Sequence, residues 1–166
     1  MQKVSSPIKV KIIARGHDSY PWKKQIPGNT GVWGNCQFIF DRDQDNYDWL
    51  VVIDDLSRSH ASQPEILSCA DEHTLLVTTE PPTITRYGRS FAAQFEHVLT
   101  SQSEQALPHP SRIHSHTGNL WFNGHSYDEI VDNGIPKKNA TLSTVCSSKQ
   151  QRHTIHKNRY DFTYWL

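Results

Sequence analysis

The sequence predicts an α/β fold: an open sheet of short central strands joined by crossovers, with ligands expected at the carboxyl ends of the strands. Three observations lead there. Short runs of β-favouring apolar residues recur through the first hundred positions. Turn-rich or polar segments separate them. One run, 49–55 (WLVVIDD), is unbroken in the manner of a strand buried on both faces. In chain order, 8–14 (IKVKIIA) alternates apolar residues with Lys9 and Lys11 and enters a loop rich in Gly, Pro and Trp that runs through Gly34. Strands are then expected at 36–40 (CQFIF), 49–55 and 74–79 (TLLVTT). The last of these stops at Glu80, because Pro81 and Pro82 lack the N–H a ladder needs and each restricts the residue before it. A short helix within 85–95 and a fifth strand at 97–101 (HVLTS) follow.

Beyond this point the pattern changes. Residues 102–138 are rich in Pro, Gly, His and Asn with little periodicity, which predicts a long loop or interdomain connection. Residues 140–148 (ATLSTVCSS) resume as a strand, and 153–166 carry apolar residues at Ile155, Tyr160, Phe162 and Leu166, roughly the spacing of a helix. The expected division is a sheet domain over 1–101, a linker or loop region over 102–139, and the start of a second domain over 140–166.

Composition narrows the classes of function. A chain of 166 residues suffices for one domain with a real core but not for two large ones. Seventeen basic and seventeen acidic residues cancel, so net charge gives no reason to expect nucleic acid, an anionic membrane or an acidic polymer as partner. Five Trp, six Tyr and six Phe argue against disorder, and exposed members of this set suit sugar rings. Cys36, Cys69 and Cys146 are odd in number and show no CxxC spacing, which indicates neither a disulfide scaffold nor a zinc knuckle and fits a reducing, cytoplasmic location. Lys9 and Lys11 interrupt the only apolar run near the N-terminus, so neither a signal peptide nor a membrane span is expected there. Asn139-Ala140-Thr141 matches a glycosylation sequon, a pattern common by chance.

Taken in order, YDWLVVIDDL, TLLVTTEPPTITRYGRSFAAQF, HVLTSQ, SRIHSHTGNLWF and KKNATLSTVCSSKQQRHTIHKNRYDF resemble the amino-terminal part of glycosyltransferase family 10, the α-1,3/1,4-fucosyltransferases, chiefly its members without a membrane anchor. The resemblance covers about Trp49 to Leu166, and its specific part is the strand-acid-proline element together with STVCSSK and Arg159-x-x-Phe162. It implies a GT-B architecture: a Rossmann-like acceptor domain followed by a lobe that binds GDP-fucose. It also implies that Glu80 is the general base of an inverting transfer to a hydroxyl of an N-acetylglucosamine-containing or related glycan. Such a reaction needs a base beside the acceptor oxygen, opposite the departing nucleotide, and a strand tip places a carboxylate rigidly. On residues alone, a solvated turn acid is the plainer reading of Glu80.

By the same resemblance Arg159 contacts the donor pyrophosphate. A guanidinium pairs bidentately with phosphate oxygens, while Ser147, Ser148 and Lys149 add donors in the turn ahead of the helix. A solvated helix cation is the alternative for Arg159. His116, Trp121 and Tyr127 are the acceptor-side candidates, with His125 beside them. The family's Glu-Asn and Thr-Glu-Lys type segments, which hold fucose and nucleotide, have no counterpart up to Leu166, so the expectation is an incomplete form inactive alone.

No metal is expected. His114 and His116 would share a strand face, and His153 and His156 a helix face, but no carboxylate or Cys completes either pair at a familiar spacing. Asp54 and Asp55 also fall on the expected ligand edge, where a turn or cap is the commoner use of such acids. Two rivals stand beside the transferase: a non-catalytic carbohydrate-binding or interaction module, and a His-rich metal-binding domain.

Overall fold

A computed structural model describes residues 6–14, 19–56, 64–118, 122–152 and 155–166. Its seven strands are β1 (Ile8–Ala14), β2 (Val32–Trp33), β3 (Cys36–Ile39), β4 (Trp49–Ile53), β5 (Thr74–Thr78), β6 (His97–Thr100) and β7 (Arg112–His114). They form one sheet in the order β2-β3-β1-β4-β5-β6-β7. Only β2 and β3 pair antiparallel; every other pairing is parallel. The architecture is therefore an α/β open sheet with few helices, as the strand pattern predicted.

The β2–β3 hairpin forms because Gly34, at φ 58, takes the first position of a two-residue turn between Trp33 and Cys36. Gly31 is also restricted to glycine: its φ is +79, and a Cβ there would stand 3.2 Å from the carbonyl oxygen of Phe38. Register then decides which side chains share a face. Ile13, Val52, Leu76 and Val98 lie abreast on adjacent strands, and Tyr47, Tyr87, Ala92, Phe95 and Leu107 pack over them. Each aliphatic side chain fully buried there contributes roughly 1.5–3 kcal/mol.

The opposite face carries Ile12, Val51, Leu75 and, from β7, Ile113. It is less well covered: the first three are half-buried and Ile113 is exposed. This corrects the reading of 49–55 as a strand buried on both faces, since β4 alternates buried and half-buried positions. The apolar run was real, but no layer of helices covers the second face of β4 to β7 among the described residues. Trp49, at the amino end of that face, stacks between His73 and His97 at 4.6 and 6.1 Å.

Among the described residues there are three α-helices, α1 (Arg89–Ala92), α2 (Tyr127–Asn133) and α3 (His156–Trp165), besides short 3-10 turns. α1 and β6 lie where a helix and a fifth strand were expected. Residues 102–138 are not one long loop, however, because they hold both β7 and α2. β7 extends the sheet by pairing with β6. α2 starts at a capping box in which the Ser126 hydroxyl accepts from the Glu129 N–H and the Glu129 carboxylate accepts from the Ser126 N–H. Ser126-x-x-Glu129 was thus a visible start signal inside a segment read as irregular.

The strand expected at 140–148 is a second correction, since no described residue in that range belongs to a strand. A β-favouring run becomes a strand only by pairing, and 140–148 pairs with neither edge strand, β2 or β7. α3 does form, but none of its residues is buried, so it does not cover a sheet as a helix of that kind ordinarily does.

Candidate functional site

β5 ends at Thr78, and the next two residues are held from both sides. Asp54, just past β4, adopts a left-handed backbone at φ 64, an unusual conformation for a residue other than glycine and one that marks a site worth inspecting. Its N–H donates to the Val77 carbonyl at 2.8 Å. Its carboxylate accepts from the Thr79 N–H at 2.7 Å, from the Thr79 hydroxyl at 2.6 Å and from the Tyr87 hydroxyl. Thr79, immediately before Glu80, is thereby fixed to the neighbouring strand.

From the β6 side, the Gln102 side-chain amide donates to the Glu80 carbonyl at 2.7 Å and to the Thr85 carbonyl at 3.2 Å. Two acceptors facing the same group require the amide nitrogen, not the oxygen, to point there. A buried polar chain supports Gln102. The Thr78 hydroxyl donates to the Thr100 hydroxyl at 2.7 Å, and the Gln102 N–H donates to that same Thr100 oxygen at 3.0 Å. The Arg112 guanidinium donates to the Gln102 carbonyl. Thr78, Thr100 and Gln102 are 0%, 0% and 2% exposed, so these bonds replace water that cannot reach them.

Glu80 itself is half-buried at the carboxyl edge of the sheet, and its carboxylate accepts no hydrogen bond from a described residue. Its backbone is committed while its acid is not. Tyr87 lies beside it, 8% exposed. Burial raises the phenol's pKa well above the ordinary value, the bond to Asp54 and the charges of Asp54 and Glu80 raise it further, and a hydrogen bond with the Glu80 backbone opposes them. Tyr87 is therefore a protonated donor that keeps Asp54 in place.

The sequence-predicted residues divide by position. His116 lies two residues past β7, on the carboxyl side and two strands from β5. That end of β7 does not give His114 and His116 a common strand face, since the strand stops at His114. His114 approaches the Ser101 carbonyl at 3.3 Å, and His116 Nδ1 accepts from the Gly118 N–H. Tyr127 is on the other flank: α2 is tied to the loop before β2 by Asp128, which accepts from the Gly28 N–H at 2.8 Å, and Tyr127 meets Trp33 edge-on at 5.2 Å. With strands about 4.8 Å apart, β2 and β5 are separated by roughly 19 Å across the sheet, and Trp33 pairs with Cys36 at the amino end of β3 whereas Glu80 follows the carboxyl end of β5, so the structure does not bring Tyr127 together with Glu80 and His116.

Trp121 and His153 lie outside the described residues. Arg159 is exposed on α3. Ser147, Ser148 and Lys149 are exposed in the irregular segment before it. Asp55 follows Asp54 in the turn and donates its N–H to the Ile53 carbonyl at 2.9 Å.

Sequence reasoning missed Gln102 and Arg112; it set Asp54 on the expected ligand edge, with a turn or cap as the commoner use of such an acid. Asp54 does hold a turn, but one that belongs to the candidate site. No local motif announces Gln102, because the partners of its side chain, Glu80 and Thr85, are 22 and 17 residues away and meet it only through strand pairing.

At this edge the backbone around Glu80 is fixed while its half-buried carboxylate accepts no hydrogen bond from a described residue. Among the described residues no group of three His, Cys, Asp or Glu could hold a metal ion, and no helix is long and apolar enough to cross a membrane. Hollows among the described residues lie elsewhere. A groove of about 460 Å³ opens near the amino ends of β5 and β6, with Thr74, Phe95 and Glu96 in its lining. An apolar cleft of about 230 Å³ is lined by Ile12, Trp22, Trp33, Phe38 and Phe40. Comparison with protein-family models, with curated proteins and with solved structures gives no match to this chain.

Proposed function

We propose that the chain is the acceptor-side part of an inverting GT-B glycosyltransferase that moves fucose from GDP-fucose to a hydroxyl of an N-acetylglucosamine-containing or related glycan. The observation that carries this reading is Glu80: its neighbour Thr79 is fastened to Asp54, its own carbonyl to Gln102, and its carboxylate is left without a described partner. Pre-organised acids of this kind serve as bases. The acceptor oxygen attacks the anomeric carbon, its proton passes to Glu80, and the bond from that carbon to the GDP oxygen breaks with its electrons leaving on GDP. Arg159, with Ser147, Ser148 and Lys149, is the proposed partner of the departing phosphates, on the strength of the family resemblance and of guanidinium–phosphate chemistry. His116, Trp121 and Tyr127 are proposed for the acceptor. The chemistry is assigned to side chains without a metal, in a cytoplasmic, at most membrane-peripheral, protein.

The test is Glu80→Gln, in the chain joined to a donor-binding lobe. Transfer should fall by about 10²–10⁴-fold with folding and GDP-fucose binding retained. Wild-type turnover would remove the assignment. A second reading, a non-catalytic carbohydrate-binding module, is favoured by the aromatic cleft around Trp22, Trp33, Phe38 and Phe40, in which Trp33 is 52% exposed. It predicts glycan binding that Trp33→Ala weakens and Glu80→Gln leaves alone.

A further inference from the structure

The geometry points to Gln102 as the positioning residue of Glu80, an inference that rests on the reading of Glu80 as the base. The two residues are far apart in sequence, yet the Gln102 side-chain amide reaches the Glu80 carbonyl at 2.7 Å and closes on the Thr85 carbonyl at 3.2 Å. One amide therefore grips both ends of the Glu80–Thr85 turn. Pro81 and Pro82 lie inside this turn and cannot donate to any neighbour, so a side chain has to supply the donors that a strand would otherwise supply. Within the turn only the Ile84 and Thr85 N–H groups bond back, both to the Pro81 carbonyl, which leaves the Glu80 and Thr85 carbonyls to Gln102.

Gln102 is itself held tightly. Its N–H donates to the Thr100 hydroxyl, its carbonyl accepts from Arg112, and it is 2% exposed. A side chain with so little freedom transmits its own placement to whatever it binds. The hydrogen bond from Gln102 to Glu80 goes to the backbone carbonyl and not to the carboxylate, so Gln102 acts through the backbone and not as a catalytic group.

Gln102→Met keeps the length and bulk of the side chain and removes both donors. In the donor-lobe-containing protein, kcat for fucosyl transfer should fall about 10–100-fold while KM for GDP-fucose stays within about twofold, because misplacing a reacting group by about 1 Å costs on that order. Wild-type kcat in a folded Gln102→Met variant, accompanied only by a lower melting temperature, would show a purely structural role and overturn the proposal. In the wild-type protein, the Gln102 side-chain amide protons should exchange with solvent far more slowly than those of the exposed Gln150. Exchange at equal rates overturns the proposal even if Gln102→Met does not fold, and slow exchange supports it in that case. Glu80→Gln separates the two ideas: a loss of transfer there with none in Gln102→Met rejects the positioning role alone, whereas full activity in Glu80→Gln rejects the base itself.

Discussion

Asp54 shows how one side chain serves fold and site together. Three donors converge on its carboxylate, two from Thr79 and one from Tyr87. Replacing it with Ala would leave the buried Tyr87 hydroxyl and the Thr79 groups seeking partners, at about 1–3 kcal/mol of stability. Asp54→Ala should therefore lower the midpoint of urea unfolding, and it should also loosen the backbone ahead of Glu80. Tyr87 makes a separate prediction about pH. Burial first, then Asp54, raises its pKa above the ordinary 10.0, so near that pH the unfolded phenol ionises while the folded one keeps its proton. Stability is then full below pH 10 and falls as pH rises beyond it toward the folded value. Tyr47, raised mainly by its own burial, adds in the same direction. Melting curves collected on either side of pH 10 should slope less steeply in Tyr87→Phe than in the wild type. An unchanged slope would mean that the buried phenol is not linked to folding.

At the level of single elements, α2 is the most sharply specified helix. The Ser126 backbone and hydroxyl hold the Glu129 carboxyl below its ordinary 4.5, with desolvation opposing. The folded value is the depressed one, so this contribution is present above pH 4.5 and disappears as pH falls through the folded pKa. Ser126→Ala should cost about 1 kcal/mol, typical of a lost N-cap, and should speed amide exchange in α2 and around Gly28, where Asp128 anchors the helix. Unaltered exchange at Gly28 would show that the anchor forms without the cap. Element by element, much of this fold was legible: β1, β3, β4, β5 and β6 lie within the runs of β-favouring residues, and Glu80 was placed by the prolines after it. β7 was missed because three residues with an exposed Ile113 carry no periodic signal and become a strand only by pairing with β6. Residues 140–148 failed in the opposite sense, having propensity without a partner. The clamp around Glu80 was illegible for a related reason. Asp54, Thr79, Gln102 and Arg112 come from different parts of the chain, and strand register alone brings them together.

For the molecule as a whole, the uneven covering of the sheet and the exposed α3 govern behaviour in solution. Ile155, Phe162 and Trp165 are 64%, 54% and 81% exposed, so the isolated chain should associate with rising concentration or fray at α3. If the proposed function holds, the same chain should bind an N-acetyllactosamine-type acceptor weakly and GDP-fucose hardly at all, since the one guanidinium proposed for the phosphates supplies little against the entropy of association. Calorimetric titration checks both halves, and micromolar affinity for GDP-fucose would contradict the proposed division of labour. The strand order carries a further consequence, for synthesis. After β3 joins one edge of β1, each later strand adds to the other edge in the order in which it is made, β4, β5, β6 and then β7. The paired residues also draw closer along the chain, from Ile12 with Val51, through Val51 with Leu75 and Leu75 with His97, to Leu99 with Ile113. Each addition closes a shorter loop than the one before, at a smaller entropic cost. A nascent chain leaving the ribosome can thus extend its sheet at a single growing margin, never reopening a pair already made, and the Gln102 grip on Glu80 becomes possible only once β6 has docked.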